Sequence, residues 1–218
     1  MGFYKPGLES KNKIYSICAK LFYENGFKNT KISDISKEAH TQKSLFYHYY
    51  KNKDHIAFLI TMEVGSYCNK IVDNLSHEKN DDILKMALHI KLFWKIIFID
   101  PKLQRFYAEL ANETLTENVE RSPFYQILQK ISGVLLESDK LTLIQYADSG
   151  LLAQLTSLVY EKPNQYTHKT ISDFYLKALF DFFNIDTSTP LFKQSIQESD
   201  CLLNTCIISN NGFVITCK

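Results

Sequence analysis

Turn-forming residues are scarce along this chain, with seven glycines and five prolines serving 218 residues. A sandwich or barrel needs turn signals about every 8–12 positions, so this scarcity points to long helices. The apolar residues agree. Ile14, Ile17, Cys18, Leu21 and Phe22 recur at i, i+3, i+4, i+7 and i+8, which places them on one face of a helix. Leu141, Ile144, Leu151, Leu155, Leu158 and Val159 stripe a second segment. Ile171, Phe174, Tyr175, Ala178, Leu179, Phe182 and Phe183 stripe a third. With 45% hydrophobic residues the chain can build a real core. The expected fold class is all-α.

Local signals set the expected boundaries. A first helix opens near Glu9–Ser10 with Ser10 as N-cap and stops at Asn25-Gly26, where glycine suits a left-handed cap. Phe27 then turns back to the core. Thr30, read as the N-cap, precedes a short helix with Ile32, Ile35 and Ala39 inward. After a break at His40-Thr41, a helix over 42–49 turns Leu45, Phe46 and Tyr49 inward. A long helix runs from about Lys53 to Ser76. Others follow from Asp81-Asp82 to Ile99, from Pro101, from Phe124 to Leu136 after Ser122-Pro123, and over 140–160 and 168–183. Phe192–Leu203 reads as one more helix. Ile207-Ile208 and Phe213-Val214-Ile215 flank Asn210-Asn211-Gly212 in the manner of a hairpin. Residues 186–218 are therefore set apart as a C-terminal extension, beyond a head at 1–53 and a helical body at 54–185.

The net charge of +1 conceals a division. Residues 1–60 hold ten lysines against five acids, a net of +5. The remainder holds 15 basic and 19 acidic residues. A small basic head suits a polyanion, and the larger acidic body does not.

The segment from Gly26 to Asp54 gives that head its chemistry. A short helix, a tight turn and a second short helix let one helix brace a DNA backbone while the next enters the major groove. With Leu45, Phe46 and Tyr49 inward, the second helix exposes Gln42, Lys43, Ser44, Tyr47 and His48, whose side chains bond base edges or phosphates. Over about Lys13–Ile56 the sequence resembles the N-terminal domain of the tetracycline-repressor (TetR) family of bacterial regulators. The resemblance rests on Leu21-Phe22-Tyr23-Glu24-Asn25-Gly26-Phe27, Thr30, Ile32, Asp34-Ile35, Ala39, Leu45-Phe46-Tyr47-His48-Tyr49-Tyr50 and Lys53-Asp54. It implies phosphate contacts from Thr30, Tyr47 and Lys53, and base or groove contacts from Gln42, Lys43, Ser44 and His48. The neighbouring Lys31 and Thr41 complete the expected DNA-binding set. The sequence departs from the family at His40-Thr41-Gln42. His40 stands where the turn favours glycine and a positive φ, and Gln42 replaces a short capping side chain.

The same resemblance implies a helical body with a ligand cavity and a homodimer formed by the last two long helices. The expected cavity lining is Phe93, Trp94, Phe98, Tyr107, Tyr125 and Tyr146, an aromatic set suited to a small, mostly apolar molecule. The resulting expectation is a repressor that leaves its operator when that molecule binds. The alternatives are a helical adaptor and a constitutive DNA binder with no inducer. An enzyme is not expected, because no Gly-rich phosphate loop, His-Glu-x-x-His or Gly-x-Ser-x-Gly elbow occurs. Cys201, Cys206 and Cys217 lack metal-ligand spacing and read as structural thiols, so neither cofactor nor metal is expected. No signal-like opening and no apolar run of about 18 residues appears, which makes cytoplasm, without membrane association, the expected location.

Overall fold

The computed structural model describes residues 5–77, 80–110, 123–135 and 137–218. Ten helices and one hairpin follow in order among these residues. They are α1 (Lys5–Asn25), α2 (Ile32–Glu38), α3 (Lys43–Tyr49), α4 (Lys53–Leu75), α5 (Asp82–Ile99), α6 (Pro101–Leu110), α7 (Pro123–Ser132), α8 (Ser138–Glu161), α9 (His168–Phe182), α10 (Pro190–Thr205), β1 (Ile208–Asn211) and β2 (Val214–Cys217). The expected all-α class is what the chain adopts.

Side-chain caps fix several boundaries. Asn52 Oδ1 accepts from His55 N to start α4, and Asp81 and Thr167 do the same for α5 and α9. Thr189 caps α10, with Pro190 in the first turn. Three expectations are corrected. Helix α1 begins at Lys5, so Ser10 lies inside it; Pro6 falls in the first turn, where a missing N–H breaks no helical bond. The N-cap of α2 is Lys31, whose N–H donates to Asp34 Oδ2 at 3.2 Å. Helix α7 stops at Ser132, where Gly133 takes φ 68°. Ser122 lies outside the described residues.

Helix α5 is the hub. Leu84, Met86, Ala87, Leu88, Ile90, Leu92, Trp94, Ile96 and Ile97 are buried on nearly every side of it, the pattern of a helix enclosed by others. It packs against α4, α6, α7, α9 and α10. Lys91 is also buried there and pairs with Asp200 of α10 at 2.5 Å. Lys95 Nζ donates to the carbonyls of Leu203 and Cys206, which satisfies the C-terminal end of α10. The extension is thus built into the body. Antiparallel β1 and β2 pair Ile208 with Cys217 and Asn211 with Val214 around Gly212 at φ 63°. Cys206 and Cys217 are disulfide-bonded, which replaces the reading of both as structural thiols. No helix among the described residues is long and apolar enough to cross a membrane.

Candidate nucleic-acid interface

The head owes its shape to a few buried contacts. Phe22, Phe27, Ile35 and Phe46 are fully enclosed, and Phe22 meets Phe27 edge-on at 5.3 Å. The turn between α2 and α3 carries His40 at φ 52°, the left-handed conformation expected at this glycine-favouring position. Thr41 N donates to Ser36 O at 2.9 Å and closes the turn.

Helix α3 then presents two faces. Phe46 is buried, and Leu45 and Tyr49 pack half-buried against the core. Gln42, Lys43, Ser44, Tyr47 and His48 are exposed, with Tyr47 57% accessible. Gln42 is the N-cap residue of α3 but its side chain makes no capping bond. Thr41, Gln42, Ser44, Leu45 and His48 line an open depression of about 450 Å³. The residues expected to read DNA therefore share one surface. Lys31 is exposed at the start of α2, on the neighbouring turn.

Two expected phosphate ligands have other work in this structure. Thr30 is 2% accessible, and its hydroxyl donates to Gly26 O at 2.7 Å. It clamps the α1–α2 turn and offers no free side chain to DNA. Lys53 Nζ donates to Phe27 O at 2.9 Å and Thr30 O at 3.4 Å and sits 4.1 Å from the Phe27 ring centroid. An ammonium has three protons, so a phosphate contact is still open to it. Its removal would also unpin the head.

The head is joined to the body through α6. Arg105 Nη2 donates to the carbonyls of Tyr23 and Glu24, each at 2.9 Å, and so caps the end of α1. Glu109 accepts from Lys28 N at 2.8 Å. On α4, Glu63 accepts from Tyr15 of α1 at 2.6 Å and from Tyr67 at 3.1 Å.

In the body, Tyr107, Phe93, Trp94 and Tyr175 form a chain of edge-on rings. Tyr125 joins them through Asp148, whose carboxylate accepts from Tyr125 at 2.7 Å and Tyr175 at 2.6 Å. Burial raises the Asp148 carboxyl above the usual range, against the pull of the two hydroxyls. Trp94 Nε1, Tyr107 Oη and Gln145 Nε2 are buried without hydrogen-bond partners among the described residues. Two expected lining residues lie elsewhere. Phe98 meets His168 at the start of α9. Tyr146 is 64% accessible on the outer face of α8, beside exposed Leu143, because the α8 stripe turns Gln145 and Asp148 inward instead. Asp148 was missed because a lone acid in an apolar stripe gives no local signal of the tyrosines that will meet it.

Comparison with known proteins matches residues 14–59 to the bacterial regulatory proteins of the tetR family. The chain is 29% identical over 140 residues to the biofilm operon icaADBC HTH-type negative transcriptional regulator IcaR of Staphylococcus epidermidis, spanning 63% of this chain and 69% of that protein. It is 26% identical over 172 residues to an HTH-type transcriptional regulator of Staphylococcus aureus strain bovine RF122, spanning 77% and 89%. The structure of the repressor FadR from Thermus thermophilus, solved with lauroyl-CoA, shares the fold with a TM-score of 0.59 at 17% identity, over 83% of this chain and 97% of that one. Residues 14–59 thus match the tetR family of bacterial regulatory proteins, on a helical body that shares the fold of a solved TetR-family repressor.

Proposed function

We propose that the protein is a repressor that binds duplex operator DNA through α3 as a homodimer and is released by a small, mostly apolar molecule held in the body. The observation that carries the reading is the single polar face of Gln42, Lys43, Ser44, Tyr47 and His48, backed by a buried Phe46. Lys31 and Thr41 flank it. Leu143 and Tyr146 of α8 and Phe174 of α9 leave large apolar groups exposed, which a second copy would cover. The dimer would hold its two reading helices about 34–36 Å apart, one turn of B-DNA. A regulator of this kind acts on cytoplasmic DNA. The body's rings and the orphaned Trp94, Tyr107 and Gln145 atoms suit an aromatic or aliphatic ligand bearing one hydrogen-bonding group. IcaR is named a negative regulator, which fits repression, and the Thermus repressor was solved with lauroyl-CoA, whose acyl chain is apolar.

Two outcomes test it. Operator affinity should fall with salt at a log–log slope matching about four or more phosphates per dimer. Gln42→Ala should shift base preference while leaving that slope unchanged. A flat salt response, or an unaltered preference profile from a randomised-operator selection, would count against α3 as the reader. Lys53→Ala is a poor substitute, since it also frees the Phe27 and Thr30 carbonyls. For induction, linkage demands reciprocity: a ligand that weakens operator binding about tenfold, about 1.4 kcal/mol, must itself bind about tenfold more weakly to the operator complex. Calorimetry with and without operator measures this. Equal ligand affinities would leave a constitutive DNA binder.

A further inference from the structure

The C-terminal hairpin sits where head, connecting helix and body meet. Phe213 in its turn lies edge-on to Phe106 of α6 at 4.6 Å and to Tyr23 of α1 at 5.8 Å. Asn210 Nδ2 donates to Asp100 Oδ2 at 2.8 Å, and the Tyr23 hydroxyl donates to the same carboxylate oxygen. Strand β2 packs on α4, with Ile215 buried. Two four-residue strands are too short to hold such a position by themselves. The hairpin's base is closed by the Cys206–Cys217 bond, with Cα atoms 6.0 Å apart, inside the range a disulfide spans. Paired Ile207 and Lys218 backbone bonds, each 3.0 Å, lie alongside it.

We propose that Cys206 and Cys217 form a reversible thiol–disulfide switch that sets how firmly the hairpin braces the DNA-binding head against the body. In the closing step the two thiols lose two protons and two electrons to a peroxide. The S–S bond forms, the peroxide O–O bond breaks and hydrogen peroxide leaves as two waters. A dithiol reductant reverses this by exchange and ends as its own disulfide. The other cysteines do not compete from the core: Cys18 and Cys68 are buried, and burial pushes both thiols up to about 12, where they stay protonated and unreactive. Cys201 is exposed on α10 and is the one to remove. Lys95 anchors Cys206 through its backbone carbonyl rather than its sulfur, so opening the bond should free β2 and the Phe213 turn while α10 stays in place. The sign of the effect on DNA rests on the repressor reading. On that reading the braced head is the arrangement that grips operator, so reduction weakens operator binding.

The test uses the full chain carrying Cys201→Ser, oxidised with hydrogen peroxide or reduced with dithiothreitol. Alkylation and peptide mass spectrometry report the state of the pair. Backbone hydrogen exchange reports the last turn of α1, around Tyr23, and titration with operator reports affinity. Reduction should speed exchange around Tyr23 about fivefold or more and weaken operator binding about fivefold. Adding Cys206→Ser and Cys217→Ser should fix both readings at their reduced values under either treatment. A pair that peroxide fails to join overturns the proposal, as does exchange that ignores its state. Should the serine variants not fold, the two redox states of the Cys201→Ser protein still decide the matter. Faster exchange with unaltered operator affinity supports the brace and tells instead against the repressor reading.

Discussion

Asp148→Leu should cost the fold about 3–5 kcal/mol, whereas Asp148→Asn should leave it as stable as the parent or more so at neutral pH. Asp148 receives the hydroxyls of Tyr125 and Tyr175, all three groups being buried. Leucine would strand two buried hydroxyls, at about 1–3 kcal/mol each, and repack the site around a different shape. Asparagine keeps one oxygen acceptor and offers an amide N–H₂ to the second tyrosine, so both hydroxyls stay satisfied. The sign of the pH dependence follows from burial. The Asp148 carboxyl is raised in the folded chain, so the native state holds this proton more tightly than the unfolded chain does. Its contribution to stability is complete in acid, below the ordinary carboxylate value. It is lost as pH climbs from there through the raised folded value. The advantage of Asp148→Asn over the parent should therefore grow across that window and then level off. Urea midpoints at a series of pH values measure it, with all other titrations cancelling in the difference. A difference that does not vary with pH would mean the carboxylate ionises as it would in water.

The helices were readable because each carries its own evidence in a short window. The i, i+3, i+4 stripes, Asn52, Asp81 and Pro101 mark segments without reference to any other part of the chain, and the structure places helices there. The hairpin was equally local, since Asn210-Asn211-Gly212 between β-branched residues specifies a turn with two flanking strands. So was the exposed face of α3: once Phe46 is inward on a seven-residue helix, the exposure of Tyr47 and His48 follows from the helical repeat. Readings that depended on distant partners fared differently. Thr30 looks like a capping residue from sequence, but its hydroxyl was taken by Gly26 O across the turn. Tyr146 reads as a cavity-lining residue because it is a bulky aromatic in a helix striped with apolar residues. Yet α8 has more apolar residues than one face can bury, and sequence alone does not say which edge meets α6. Cys206 and Cys217 are separated by 11 positions; only the fold-back around Gly212 brings them together.

Gly26→Ala should destabilise the head by about 2–4 kcal/mol, while Gly65→Ala should stabilise the chain by about 0.5–1 kcal/mol. The two glycines differ in both backbone and surroundings. Gly65 lies in mid-α4 with nothing within 4 Å of where a methyl would go, so alanine simply removes helix-interior flexibility. Gly26 ends α1 at φ 90°, a conformation costing an L-residue about 1–2 kcal/mol. A methyl there would also come within 2.7 and 2.9 Å of the Glu109 carboxylate oxygens and 3.1 Å of Arg105 Nε. The end of Glu109 is flexible and will swing aside, which gives up its 2.8 Å bond from Lys28 N. Arg105 is crowded in turn and loosens its hold on the carbonyls of Tyr23 and Glu24. The damage therefore falls on the joint between head and body. Hydrogen exchange should quicken over residues 21–30 in Gly26→Ala, while the near-ultraviolet signal of the buried Trp94 in the body persists. If both variants stabilise alike, the α6 contact does not constrain the turn. If the head loosens as expected, the same variant should bind operator with less dependence on any body ligand, because α6 carries the Arg105 and Glu109 contacts that join body to head.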